Sequence, residues 1–234
     1  MNYPLLIFFG LAPSIIWLLF FLRKDAHPES NIMVLRAFGY GMMAALPAAL
    51  IELGILTQLE SISLPPLFAL WILCLIGVAL PEEMMKYLAV RVKVLRSPEF
   101  DEPIDIMLFM IIAALGFAAL ENILLLFPFK SALDFFAASW LRLVGATFLH
   151  ALCAGVIGYF LALSFFRIKE KLKLTLFGLT LAITLHGLYN FSIMIGGTIK
   201  WMGPVIILTA LAIFVSFGFK KIKKLKSICL FSKK

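Results

Sequence analysis

Seven long apolar runs constrain this chain more than any other feature. They lie at about 4–22, 33–56, 66–90, 104–127, 138–166, 174–195 and 202–219. A helix needs roughly 20 residues to cross about 30 Å of hydrocarbon, and most of these runs supply that length. Within lipid every backbone N–H and C=O has to find a partner in the protein, which a helix provides unaided. Short alternating segments with regular turns, the mark of a membrane barrel, are absent from the sequence. The fold class is therefore all-α: a polytopic transmembrane helix bundle of about seven spans, with residues 1–234 forming a single transmembrane domain. Composition excludes the soluble alternative. With 63% hydrophobic and 15% charged residues, 234 residues could not give a water-exposed surface its polar cover. The first run lacks a basic leading segment and a small-residue cleavage site, so it reads as a span and not as a signal peptide.

The formal net charge of +8 would raise nucleic acid as a partner in a soluble protein. Here the basic residues sit between apolar runs and at the C-terminus, which points to membrane lipids as partners and leaves no nucleic-acid partner expected. The first loop carries Arg23 and Lys24, and the second, around 57–65, carries neither Lys nor Arg. The third carries Arg91, Lys93 and Arg96; the fourth has only Lys130, with Arg142 near the following span. The fifth carries Arg167, Lys169, Lys171 and Lys173, the sixth Lys200, and the basic tail over 220–234 holds Lys220, Lys221, Lys223, Lys224 and Lys226. Rich and poor loops alternate. The expected topology is N-terminus outside and C-terminus cytoplasmic, in a multi-pass protein of the cell membrane. Cys74, Cys153 and Cys229 show no disulfide or zinc-cluster spacing. Pro47 is expected to interrupt the second span, and Pro81 to bend or break the third.

Polar groups inside apolar runs carry the functional signal, because lipid burial is costly unless they face the bundle interior and find partners. In PEEMMKYL, residues 81–88, Glu82 and Glu83 precede Lys86 by four and three positions, both within helical reach. Glu121 and Asn122 interrupt the run at 116–126, with Phe117 one turn before Glu121. His150 lies inside the fifth run among small residues that permit close helix approach. In LHGLYNF, residues 185–191, His186 and Asn190 share a helix face, with Tyr189 beside them. His27, next to Pro28 in a basic loop, carries no such signal. Taken alone, Glu82, Glu83 and Lys86 also fit an ion pair that ends a helix near the interface, Glu121 and Asn122 a structural hydrogen bond between helices, and His150 a hydrogen bond to a neighbouring backbone carbonyl. Together they can polarise water for hydrolysis, relay protons, or bind an ion in a carrier. The predicted depths conflict: Glu82 and Glu83 fall toward the cytoplasmic half, Glu121 toward the outer half.

These segments, in this order across 81–191, resemble the PrsW-type intramembrane proteases. That group lies within the larger set of type II CAAX prenyl endopeptidases and bacteriocin-processing enzymes. The pieces that match are PEEMMKYL, DEPIDIMLFMIIAALGFAALEN at 101–122, FLHALCAGVIGYF at 148–160 and LHGLYNF. The wider group has a phenylalanine followed four positions later by histidine. Here Glu121 follows Phe117, the form usual for PrsW-type members. The resemblance implies an endopeptidase acting on membrane-associated proteins, with a catalytic core over 81–191. Its catalytic positions would be Glu82, Glu83, Glu121, His150, His186 and Asn190, supported by Lys86, Phe117 and Asn122. Glu82 or Glu83 would deprotonate a water oriented by His150 or His186, with Asn190 and an imidazole stabilising the oxyanion. In the other form of the mechanism His150, His186 and Glu83 hold zinc. The implied substrate is a membrane-anchored protein, in one branch of the family an anti-sigma factor cut at its first site. The rival readings are a transporter or proton-coupled carrier, for which an inverted repeat would be needed and none is evident, and an inactive membrane scaffold.

Overall fold

The computed structural model describes residues 3–24, 30–94 and 102–225, with the Lys93 side chain also left out. His27, Pro28, Arg96, Lys226 and Cys229 therefore lie outside the described residues, as does the tail over 226–234. The helices are α1 (Tyr3–Leu22), α2 (Asn31–Ser61), α3 (Pro66–Ile72), α4 (Leu80–Ala89), α5 (Pro103–Leu126), α6 (Ala132–Val144), α7 (Ala146–Phe166), α8 (Lys171–Ile195) and α9 (Ile199–Ile222). A π-helical segment, Leu73–Ala79, joins α3 to α4, and another, Val90–Val94, extends α4. These elements make seven stretches long and apolar enough to cross a membrane, with α3–α4 forming one and α6–α7 another. No strand occurs among the described residues.

Helix α5 is the hub. Of its apolar span 94% is buried, against 22% for α9, so the other helices surround it and turn their outer faces to lipid. Backbones meet closely where glycine allows it. A Cβ on Gly41 of α2 would strike the Ala113 carbonyl of α5, and one on Gly116 would strike the Phe38 carbonyl of α2. On α7, a Cβ at Gly158 would stand 2.6 Å from the Met107 backbone. These approaches lock α2 and α7 onto opposite sides of α5.

Three details depart from expectation. Pro47 does not interrupt α2, which runs unbroken through it. Pro81 does not break its span either. The widening comes just before it, where the Leu80 N–H donates to Leu75 O, a five-residue step. That wider turn gives the proline ring room against the carbonyl one turn back. The fifth span starts earlier than the run at 138–166 and divides at Gly145, whose φ of −111° and ψ of −99° separate α6 from α7. His150 consequently sits in the first turns of α7 and not deep within one helix.

The two acids that the expected depths kept apart share a partner: His150 stands 3.5 Å from Glu82 Oε2 and 2.8 Å from Glu121 Oε2. Glu82, midway along its span, and Glu121, near the end of α5, meet at one level.

Candidate active site

Lys86 organises the site. It is fully buried on α4, one turn after Glu82 and Glu83, which are 3% and 0% exposed. Its Nζ donates to Glu82 Oε2 at 3.1 Å and to Glu83 Oε1 at 2.8 Å, and stands 2.7 Å from His150 Nδ1. An ammonium has three donors, and these partners use all of them. The Phe117 ring of α5 covers the remaining side, 4.5 Å from Nζ to its centroid. That contact adds cation–π attraction where water is excluded.

The hydrogen bonds assign the imidazoles. Since His150 Nδ1 accepts from Lys86, its proton sits on Nε2, which donates to Glu121 Oε2 at 2.8 Å. Glu121 is held from the other side by Arg142 of α6, Nη2 to Oε2 at 2.9 Å. Arg142 Nε donates to Asn122 Oδ1. Asn122 in turn donates to Gly10 O of α1 at 3.2 Å and to Thr147 Oγ1 of α7 at 3.1 Å. On the far side of the cluster, His186 Nδ1 donates to Glu83 Oε1 at 2.7 Å. His186 Nε2 faces Glu82, 3.9 Å from its Oε2. A continuous chain of charge-assisted contacts therefore runs Arg142, Glu121, His150, Lys86, Glu83, His186 across five helices.

Two carboxylates and two imidazoles lie close enough to hold a metal: one donor atom from each of Glu82, Glu83, His150 and His186 falls within 4.8 Å of the others. The chemistry of this donor set suits zinc. Glu83 Oε2, buried and without a hydrogen-bond partner, is a further acceptor that Lys86 does not occupy.

A cavity of about 540 Å³ opens onto the cluster between α6, α7, α8 and α9. Glu82, Glu121, Arg142, His150, His186 and Asn190 supply its polar wall, and residues such as Leu149, Ile193 and Leu208 its apolar wall. Glu82 lines this cavity whereas Glu83 is sealed behind it.

Of the residues expected from sequence, Glu82, Glu83, Lys86, Phe117, Glu121, His150 and His186 come together in one cluster. Asn190 lines the cavity one turn from His186 but takes no part in the hydrogen-bonded chain. Asn122 ties α1, α5 and α7 together behind it. Sequence reasoning missed Arg142, because a basic residue near a span end reads as a topology signal. The signal available was its place four residues before Ala146, in the run leading to His150. It also passed over Glu52, a lone acid in α2 that interacts electrostatically with Glu82, Glu121 and Lys86. Cys74 and Cys153 are buried free thiols.

Comparison with known proteins agrees with this geometry. Residues 29–217 match the family model described as PrsW family intramembrane metalloprotease. A protein named protease PrsW from Oceanobacillus iheyensis is 29% identical over 182 residues, 78% of this chain and 80% of that protein. Its namesake from Geobacillus kaustophilus is 30% identical over 183 residues, 78% of this chain and 76% of its own length. That of Bacillus subtilis is 28% identical over 222 residues, covering 94% of both. No solved structure gives a significant match. With its seven membrane-length helices and buried glutamate–histidine cluster, this chain belongs to the PrsW family of intramembrane metalloproteases.

Proposed function

We propose that the cluster hydrolyses a peptide bond drawn into the cavity, with Glu82 as the base. The observation that carries this reading is the division between the paired acids: Glu82 reaches the cavity, while Glu83 is closed off and bonded to both Lys86 and His186. Glu82 takes a proton from water as its oxygen attacks the scissile carbonyl, then returns that proton to the departing amine. Asn190, on the same wall, donates to the oxygen that gains negative charge. His150 has both nitrogens engaged and acts as a positioning residue between Lys86 and Glu121. His186 Nε2 orients the water or, in the metal-loaded site, serves as a ligand.

Zinc held by His186 Nε2 and Glu83 Oε2, the donor atoms that the hydrogen-bonded chain leaves over, would supply Lewis-acid polarisation of the water and of the carbonyl. The other steps belong to the residues themselves. Burial of the cluster keeps bulk water from screening them, which strengthens each electrostatic contact.

The substrate in this reading is a membrane-anchored protein with an unwound segment beside the cavity. A helical segment would keep its scissile amide in its own hydrogen-bond ladder. An anti-sigma factor cut at its first site is the form taken from the family. The loop charges support an N-terminus outside and a cytoplasmic C-terminus in the cell membrane.

Purified protein reconstituted with single-span reporters, with products followed by mass, tests the reading. Cleavage by wild type that is lost in folded Glu82→Gln and His186→Ala is the expected result. Cleavage that persists in both variants overturns the assignment.

A further inference from the structure

Away from the cluster, a second cavity of about 590 Å³ lies between α1, α7 and α9. Its floor is aromatic and apolar. Trp17 stacks on Phe148 with centroids 4.0 Å apart, Phe21 stacks on Phe219 at 6.2 Å, and Leu152 and Ala212 complete the wall. Lys24, Lys220 and Lys223 line the same groove and are exposed. They stand together at one end, where α1 and α9 both finish. From Ala212 to Lys223 the groove follows the last turns of α9 and the residue that caps it, about 16 Å at the rise of a helix, which is close to half of the roughly 30 Å hydrocarbon core.

We propose that this groove is a binding site for an anionic phospholipid of the leaflet that meets the lysine-bearing end. A single-leaflet lipid has the matching form: a phosphate-bearing head for three ammonium groups, and acyl chains for an aromatic wall one leaflet deep. The charge pattern is what selects this occupant. A transmembrane partner helix would continue past mid-membrane, where the groove ends, and would place no anion among the lysines. The groove also touches the machinery. Phe148 and Leu152 line it from α7, the helix that presents His150 on another face, and Trp17 Nε1 donates to Leu143 O, next to Arg142, at 2.6 Å.

Trp17 makes the site measurable. The full chain is placed in phosphatidylcholine nanodiscs with a low fraction of phosphatidylglycerol, and acyl-brominated forms of either lipid serve as quenchers. Four tryptophans emit, so the Trp17 signal is taken as the difference between wild type and Trp17→Phe. Brominated phosphatidylglycerol is expected to quench Trp17 several-fold more than brominated phosphatidylcholine at equal fraction. The combined variant Lys24→Gln, Lys220→Gln and Lys223→Gln removes that excess, and Ser216→Phe, which fills the groove, lowers quenching by both lipids. Circular dichroism confirms that each variant keeps its helices. Equal quenching by the two lipids in wild type overturns the proposal, because it describes ordinary surrounding lipid. An excess that survives the triple substitution, loss of the excess to soluble glycerol phosphate, or a Trp17 that neither lipid reaches because a second copy covers it, overturns it too.

Discussion

His186 Nδ1 donates to Glu83 Oε1 across 2.7 Å, so a carboxylate that never meets the cavity fixes which imidazole nitrogen faces Glu82. The two adjacent acids are therefore not equivalent. Glu82→Gln removes the base, so cleavage should fall by about 10²–10⁴-fold, and because it also removes one of the two carboxylates bonded to Lys86 the melting temperature should fall, though less than at Glu83, which holds His186 as well. Glu83→Gln removes the negative charge beside buried Lys86. It should lower activity and also destabilise the fold by about 3–5 kcal/mol, the usual cost of breaking a buried pair. Thermal unfolding in detergent, run beside the cleavage assay, separates the two.

Lys86 is the cation on which the cluster depends. Lys86→Met leaves Glu82 and Glu83 facing each other without a counter-charge and takes the donor from His150 Nδ1. Stability should fall sharply. Adding Glu83→Gln to Lys86→Met removes one of the stranded charges, so the double variant should melt higher than Lys86→Met alone while remaining inactive. A double variant less stable than both singles would mean that charge balance is not what Lys86 provides.

Much of this arrangement was legible in the sequence, and the unread part has physical causes. The spans were readable because lipid demands about 20 apolar residues of each helix. Glu82, Glu83, His150 and His186 were readable because a polar group in such a run needs a partner. Depth was not readable, since it depends on how far the helices are displaced along one another, and hydropathy does not report that displacement. The division at Gly145 was hidden because both flanking helices are apolar. At Pro81 a bend or a break was expected, and a π-helical step just before it accommodates the ring while the helix continues. Arg142 was read as an orientation charge, and only the fold shows that its guanidinium reaches Glu121 and Asn122.

Arg142 fixes Glu121, which fixes His150. Arg142 is paired with Glu121 by charge and donates its hydrogen bond to Asn122, so Arg142→Ala leaves Glu121 without its cation and should slow cleavage by roughly 10- to 100-fold. The loss should appear in kcat more than in KM if the effect passes through His150. Arg142→Lys keeps the charge but cannot serve Glu121 and Asn122 together, so it should recover part of the rate. A variant altered only in KM would instead place Arg142 in substrate binding.

Two glycines of α2 should behave oppositely. A Cβ at Gly41 meets the Ala113 carbonyl, whereas Gly54 has nothing within 4 Å of that position. Gly41→Ala therefore has to push α2 from α5, and overpacking of this kind costs about 1–3 kcal/mol. Gly54→Ala should be neutral or slightly stabilising, because alanine favours helix by about 1 kcal/mol. Melting temperatures of the two variants give the comparison directly.

The metal makes the last prediction. Lys86 engages one oxygen each of Glu82 and Glu83 and the Nδ1 of His150, so an ion has to draw on the atoms left over, with His186 Nε2 and Glu83 Oε2 foremost. Purified protein should carry zinc by elemental analysis, and His186→Ala should lose most of it. Chelation should abolish cleavage, and added zinc should restore it. Binding also stabilises the native state, by about 2.7 kcal/mol when free metal is a hundred times its Kd, so wild type should melt higher with zinc than without. His186→Ala should not respond. A wild type whose melting and cleavage are both indifferent to chelation would assign the hydrolytic work to Glu82 and its histidine partners alone.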